Sequence, residues 1–388
     1  MPKVSNPYPI SHNPYPISHI PTMNPLTTLL LAVATLLLQP LTHANPVRFA
    51  IVGLTHDHAH GFIPTTSSRS DVELVAIVEP NPQLAERYAK QYKLKPSLLH
   101  SDLETMLDTV KPQAVATFTS TFEHLQVVQA CAKRGIHVMM EKPLAVSMDH
   151  ARAMQTAARE HDIQIIINFE TTWYPSNHEA YRLAHEQGRI GDLRKIVVHD
   201  GHQGPREIGC SEDFLAWLTD PVLNGGGALT DFGCYGANLI TWLMQNQRPT
   251  SVLAVTQQIK PHVYPKVDDE ATILLTYPKA QGVIQASWNW PYNRKDMEVY
   301  GASGYAIAPD SQHIRLRLGN NPEQQLDAPP LPSPNHDPLA YLAAVCHGEI
   351  TPSGLSSLEV NLIATEILDA ARQSAQTGQR IHLPQTPH

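Results

Sequence analysis

At 388 residues the chain is too long for one small core and comfortable for two domains. Its 42% hydrophobic and 16% charged residues are those of a globular protein, not of a disordered or fibrous one. Asp and Glu outnumber Lys and Arg by 36 to 28 and no basic stripe occurs, which argues against nucleic acid and anionic membrane surfaces as partners.

The first 44 residues differ in texture from the rest. "NPYPISHNPYPISH" (6–19) is a tandem heptad whose prolines preclude a helix or a central strand, and no function attaches to it. The apolar run 26–38 is too short to span a bilayer and precedes Thr42-His43-Ala44, an acceptable cleavage site. This predicts a Sec-type signal peptide, a mature chain starting near Asn45 with no stable membrane span, and a periplasmic or secreted location. Lys3 is the only charge before Ala44, and the rival reading is a disordered extension. Cys131, Cys210, Cys234 and Cys346 contain no CxxC pair, and buried free thiols are the default for a chain with a large core.

From 48 to 169 short apolar runs alternate with helical segments. "RFAIVG", "VELVAIVE" (72–79), "AVATFT" (114–119), "HVMMEK" (137–142) and "QIIINF" (164–169) suit strands covered on both faces. Helices are expected at 82–92, at 101–109 opened by a capping box Ser101…Glu104, at 122–134 closed by Gly135, and at 147–160. The repetition implies a doubly wound parallel α/β sheet over 45–169. From 170 to 388, alternating runs at 193–202, 251–260, 270–278 and 282–291 read as a large, mostly antiparallel sheet, with helices at 338–347 and 357–376. This second part is an α+β domain with a helical C-terminus.

Three stretches could carry chemistry. In "AIVGLTHDHAHG" (50–61) a strand ends in Gly53, where a dinucleotide-binding turn would follow, but Thr55 and His58 stand where second and third glycines belong. Helix N-terminal amides could still hold phosphate there. Glu79 closes the next strand, where a carboxylate accepts ribose hydrogen bonds and repels a 2′-phosphate, favouring NAD over NADP. His56, Asp57, His58 and His60 have metal-ligand chemistry, but polar loop residues are the plainer reading and no metal is assigned. "MMEKPLA" (139–145) ends a buried strand with Glu141 and Lys142 at the carboxyl edge, and Pro143 fixes the exit of the chain. In "GGGALTDFGCYGANLITWLM" (225–244), Asp231, Tyr235 and Asn238 are spaced four and three apart, so one helical face would carry all three.

Taken with "WNWPYNRKDMEVYGASG" (288–304) and the C-terminal stretch 354–384, these segments resemble the Gfo/Idh/MocA family of oxidoreductases across essentially the whole mature chain. The resemblance implies a Rossmann domain binding NAD or NADP, hydride transfer on a sugar or polyol, and homo-oligomers through the second-domain sheet. It implies Lys142, Tyr235 and Asp231 as catalytic residues, Tyr235 standing where most members have a His. The expected nucleotide contacts are Gly53, Thr55, His56, His58, Glu79, Thr119, His124, Glu141 and Lys142. Asn238, Trp173, Tyr174 and Trp288 are the expected substrate contacts, the aromatic rings offering flat faces to a sugar. A tyrosine is a poor base at neutral pH unless a cation stabilises its phenolate, and Lys142 is the expected cation. Export makes exchangeable nucleotide scarce, so the expected cofactor is tightly bound. A glycosidase or lyase working by transient sugar oxidation, and a cofactor-free carbohydrate-binding protein, are the competing readings.

Overall fold

The computed structural model describes residues 45–385; the heptads and the expected signal peptide lie outside the described residues. Six strands, β1 (Val47–Val52), β2 (Val72–Val78), β3 (Leu99–His100), β4 (Ala114–Thr117), β5 (His137–Glu141) and β6 (Ile165–Asn168), form the first sheet. All pairings are parallel and the order is β3-β2-β1-β4-β5-β6. Continuous apolar sequence is needed because both faces are covered. In β1, Phe49 and Ile51 enter one core layer while Ala50 and Val52 enter the other. Strand order reverses between β1 and β4, and ligands of such sheets bind in the crevice at that point.

The first-half helices obey their caps. Asn81 accepts from the amides of Gln83 and Leu84 to open the helix Pro82–Tyr92, and Ser147 opens Met148–Glu160. The helix expected from a Ser101…Glu104 box starts two residues later, at Leu103–Val110. Its cap is Asp102, whose carboxylate accepts from the Thr105 amide at 2.8 Å.

Nine strands form the second sheet: β7 (Leu193–Gly201), β8 (Ser251–Gln257), β9 (Glu270–Thr276), β10 (Gln281–Ser287), β11 (Arg294–Gly301), β12 (Gly304–Ala308), β13 (His313–Leu318), β14 (Gln324–Asp327) and β15 (Ile381–His382). Their order is β14-β13-β12-β11-β7-β10-β9-β8-β15, antiparallel except for β10 against β7. Helices Gly233–Leu243 and Leu358–Thr377 lie on this sheet. The segment expected as one helix breaks at Phe232, giving Ala228–Asp231 and then Gly233–Leu243. The break puts Asp231 on the first of these helices and Tyr235 and Asn238 on the second. Asn238, expected as a substrate contact, is fully buried and donates to the Leu355 carbonyl and Asn361 Oδ1 at 2.9 and 3.1 Å, so its amide nitrogen ties this helix to Leu358–Thr377 while its Oδ1 is buried without a partner. Among the described residues no helix is long and apolar enough to cross a membrane.

Candidate active site

The crevice begins where β1 runs into Gly53, which has φ +81°, and a Cβ there would lie 2.5 Å from Thr119 Cγ2. Gly53→Ala is therefore expected to lower stability by about 1–3 kcal/mol, from left-handed backbone strain plus overlap, read as a shifted urea midpoint at unchanged slope. Thr119 is packed against this glycine and exchanges a hydrogen bond with Thr117 at 2.9 Å.

The turn that follows spends most of its amides on the protein itself. Leu54 N–H donates to Glu79 Oε2 at 2.8 Å, His56 N–H to the Phe118 carbonyl at 3.0 Å, and His58 N–H to His56 Nδ1 at 3.2 Å. The amides of Thr55 and Asp57 make no hydrogen bond among the described residues. Glu79, expected to face a ribose, is 4% exposed and turned inward, its second oxygen accepting from the Asn81 amide at 2.9 Å. Its carboxylate fastens the turn, so a choice of NAD over NADP does not follow from an outward acid at this place.

Residues 205–224 form a strap across the crevice, bounded by Gly204 (φ +124°) and Gly225 (φ +79°). Asp57 accepts from Ser211 N–H at 2.8 Å and Ser211 Oγ at 2.5 Å, and Trp217 Nε1 donates to the Thr55 carbonyl at 3.4 Å. The His56 ring lies 4.7 Å from that of Phe214 and 5.4 Å from that of Trp217. Arg87 pairs with Asp213. On the other side of the switch point, Phe122 N–H donates to the Leu223 carbonyl at 3.0 Å. The strap thus ties the turn after β1 to the loop after β4.

His56, His58 and Glu141 bring one ligating atom each within 4.8 Å of one another. His58 Nδ1 lies 2.9 Å and His56 Nε2 3.9 Å from Glu141 Oε2. Ligation of a metal by His56 Nε2 would require the proton on Nδ1, which already accepts the His58 amide. Burial, and then His58, hold the His56 pKa well below its ordinary value, so the ring is neutral; with Nδ1 accepting the His58 amide its proton lies on Nε2, which is buried without a hydrogen-bond partner. The geometry favours a His58–Glu141 hydrogen bond with His56 packed beside it over a metal site. Burial pushes the His124 ring down to about 4; its Nδ1 faces the Leu144 carbonyl at 3.3 Å and its Nε2 is buried without a partner.

Beside this cluster, Glu141 and Lys142 leave the end of β5, and the Lys142–Pro143 bond is cis. Lys142 Nζ sits 2.5 Å from Asp231 Oδ1, and Trp288 Nε1 donates to Asp231 Oδ2 at 3.0 Å. Burial alone would push the Lys142 ammonium down, but Asp231 outweighs it and holds the pair charged. Trp288, expected as a sugar platform, is fully buried: its indole fixes the acid. Trp173 also turns inward, donating to Asn168 Oδ1 at 3.0 Å while Asn168 donates to Glu141 at 3.0 Å. Tyr174 does line an open cavity of about 580 Å³, with Glu170, His202, Phe232, Tyr292 and Lys295. That volume suits a small ligand. None of Lys142, Asp231 and Tyr235 lines this cavity, but Phe232 and Lys295, which border it, lie against the Lys142 ammonium and the Tyr235 ring respectively; a separate groove of about 800 Å³ lies beside Arg372 and Asp268.

Tyr235 is buried between two ammonium groups, Lys142 Nζ 5.2 Å and Lys295 Nζ 4.6 Å from its ring centroid. Lys142, expected to stabilise a phenolate here, is instead bound to Asp231. Burial first, then Asp200 and Glu170, push the Tyr235 pKa well up, so the hydroxyl keeps its proton. Glu170, Asp200, His202 and Lys295 escaped the sequence reading. Asp200 and Lys295 are directly opposed on β7 and β11, a register that joins residues far apart in the chain and leaves no local signature.

A parallel sheet with a switch-point crevice, a lysine at the end of β5 and an aspartate and a tyrosine from the helices packed on the second sheet together define a dinucleotide-dependent oxidoreductase fold. The family pattern described as "Oxidoreductase family, NAD-binding Rossmann fold" matches residues 47–169, and that of the GFO/IDH/MocA C-terminal domain matches 178–307. The chain belongs to the Gfo/Idh/MocA oxidoreductase family. It is 24% identical to inositol 2-dehydrogenase of Rhizobium meliloti (strain 1021) over 358 residues, 87% of this chain and 99% of that protein. It is 26% identical to trans-1,2-dihydrobenzene-1,2-diol dehydrogenase of Macaca fascicularis over 216 residues, 55% of this chain, and the match spans 59% of that protein's length. Among solved structures, aldose-aldose oxidoreductase from Caulobacter crescentus, complexed with glycerol, superposes with a TM-score of 0.74 at 22% identity, over 87% of this chain and 100% of that one. An inositol dehydrogenase homolog from Azotobacter vinelandii, complexed with NAD+, gives 0.75 at 19% identity, over 88% and 98%. These two superpositions describe a shared fold.

Proposed function

We propose that the protein is an exported oxidoreductase that moves hydride between a carbon of a sugar or polyol and an NAD or NADP held under the 205–224 strap. The observation that carries this reading is the Lys142–Asp231–Tyr235 group, set at the carboxyl edge of the first sheet beside a cavity of about 580 Å³. The residues fit a dinucleotide: Gly53 leaves no room for a Cβ, the Thr55 and Asp57 amides are free to meet phosphate, and His124 Nε2 is a buried polar atom lacking a partner. A nicotinamide ring bound along the crevice supplies the hydride acceptor or donor.

The protein's residues handle orientation and the proton. Lys142, anchored by Asp231, presents its remaining N–H to a substrate oxygen and stabilises charge developing there. Tyr235 Oη gives a proton to the carbonyl oxygen in reduction; in oxidation it takes the alcohol proton as it passes its own inward. Tyr174 and Tyr292 border the sugar's side of the cavity. With Arg294 paired to Asp296 and Lys295 to Glu170, the cavity's cations are neutralised, which suits an uncharged polyol.

The strap supports tight retention, as an enzyme outside the cytoplasm requires. Denaturing the protein purified without added nucleotide is expected to release near-stoichiometric NAD(H) or NADP(H) by mass spectrometry. No nucleotide, and none bound on titration, would leave the carbohydrate-binding alternative. Asp57→Ala removes both hydrogen bonds to Ser211 and is expected to speed nucleotide dissociation about 10–100-fold, the equivalent of about 1–3 kcal/mol, measured by fluorescence chase.

A further inference from the structure

The cavity of about 580 Å³ has a polar edge that runs toward the reacting group. It starts at Tyr174, whose Oη donates to Glu170 Oε1 at 2.5 Å. Glu170, on the turn after β6, accepts from Lys295 Nζ through its other oxygen. Lys295, on β11, ends the edge with its Nζ 4.6 Å from the Tyr235 ring centroid. All three residues of the edge line the cavity, so a ligand there meets an acceptor that follows the first sheet and a donor from the second.

The pair has bonding capacity to spare. An ammonium carries three N–H groups, and Lys295 spends one of them, on Glu170, among the described residues. A carboxylate offers about four acceptor sites. Glu170 uses two, for Lys295 and Tyr174. The acid is 50% exposed and the lysine 25%, so the unused sites are open toward the cavity that both line. The neighbouring charges are engaged elsewhere: Arg294 with Asp296, and Asp310 with His313 and two backbone amides.

A donor and an acceptor already in contact set the chemistry of what fits them. Ligand oxygens bound to each lie side by side, as do the oxygens of hydroxyls on neighbouring carbons. One hydroxyl donates to Glu170 and the other accepts from Lys295. A carboxylate in that place would face the charge of Glu170, and an amine that of Lys295. We propose that Glu170 and Lys295 set the specificity of the site: together they bind two adjacent hydroxyls of an uncharged sugar or polyol, beside the carbon whose oxygen meets Tyr235, and turn away a ligand carrying a carboxylate there. The assignment rests on the hydride-transfer reading for which carbon reacts, and on the contacts of the pair for the diol it holds.

Calorimetric titration of the full chain, with NAD and with NADP present, tests the pair with glucose, myo-inositol, the monodeoxyglucoses and glucuronate. Glu170→Gln and Lys295→Met are expected to fold, because a part-exposed ion pair contributes little to stability. The wild type is expected to bind glucose and myo-inositol, and to bind about 10–100-fold more weakly two monodeoxyglucoses whose missing hydroxyls are neighbours. Each variant is expected to weaken glucose about tenfold, while the deoxy sugar that lacks the matching hydroxyl loses nothing further. Glu170→Gln is expected to bind glucuronate more tightly than the wild type does, and Lys295→Met more weakly, a reversal that damage to the fold cannot produce. The assignment is overturned by a wild type that binds neither glucose nor myo-inositol, by variants with wild-type affinities, by a loss shared equally among all the sugars, or by glucuronate weakening alongside glucose in Glu170→Gln. The neighbouring-hydroxyl pattern without turnover upholds the pair and counts against hydride transfer. Turnover at wild-type KM in both variants removes the pair and leaves hydride transfer standing.

Discussion

Lys142→Met is expected to destabilise the fold by about 3–5 kcal/mol, because it leaves the Asp231 carboxylate buried without its cation. Both side chains of this pair are only 7% exposed, so water cannot take over the lost partner. Asp231 would keep Trp288 Nε1 as a donor but would face Phe232, Cys234 and Tyr235 with its charge uncompensated. Replacing both partners, Lys142→Met with Asp231→Leu, is expected to recover much of the loss, since two apolar groups leave no orphaned charge. Turnover should stay absent in both variants. The signs of the pH dependence follow from the directions of the two shifts. Asp231 has its folded pKa depressed, so its contribution is present above its unfolded value, about 4, and is lost as pH falls through the folded one. Lys142 has its folded pKa raised, so its contribution is complete below about 10.4 and is lost as pH rises through the folded value. The pair is at full strength between these limits. In Lys142→Met the dependence inverts: Asp231, now raised by burial, becomes less costly as pH falls. Urea midpoints followed from below about 4 to above about 10.4, wild type against variant, check both signs, and coincident curves would show that the pair contributes nothing.

The first sheet was legible because its strands are buried on both faces, and continuous runs such as "VELVAIVE" have no competing period. Lys142 was legible for a related reason, as a charge at the end of such a run. The second sheet was legible only in its middle. β7 to β10 alternate cleanly, whereas β11 to β14 carry Arg294, Asp296, Glu298, Arg315 and Arg317 among their apolar residues and drew no strand assignment. Asn238 shares the unbroken helix Gly233–Leu243 with Tyr235, but spacing alone could not show that the helix Leu358–Thr377 packs over it and buries its side chain against Leu355 and Asn361. Trp288 and Glu79 were assigned outward roles that their burial contradicts: each is turned in to hold another part of the site. The strap had no signature at all. Its meaning lies in Ser211 and Trp217 meeting Asp57 and Thr55, more than 150 positions away.

Tyr235→Phe is expected to reduce turnover about 10²–10⁴-fold while leaving the melting temperature and nucleotide content close to wild type. The hydroxyl makes no hydrogen bond among the described residues, so removing it strands no partner, and the ring keeps its packing against Phe169 and the two lysines. A hydroxyl that only positioned a sugar would give a different split, a raised KM with kcat near wild type. The high pKa of Tyr235 adds a second discriminator: its own ionisation contributes no limb to the activity profile near neutrality.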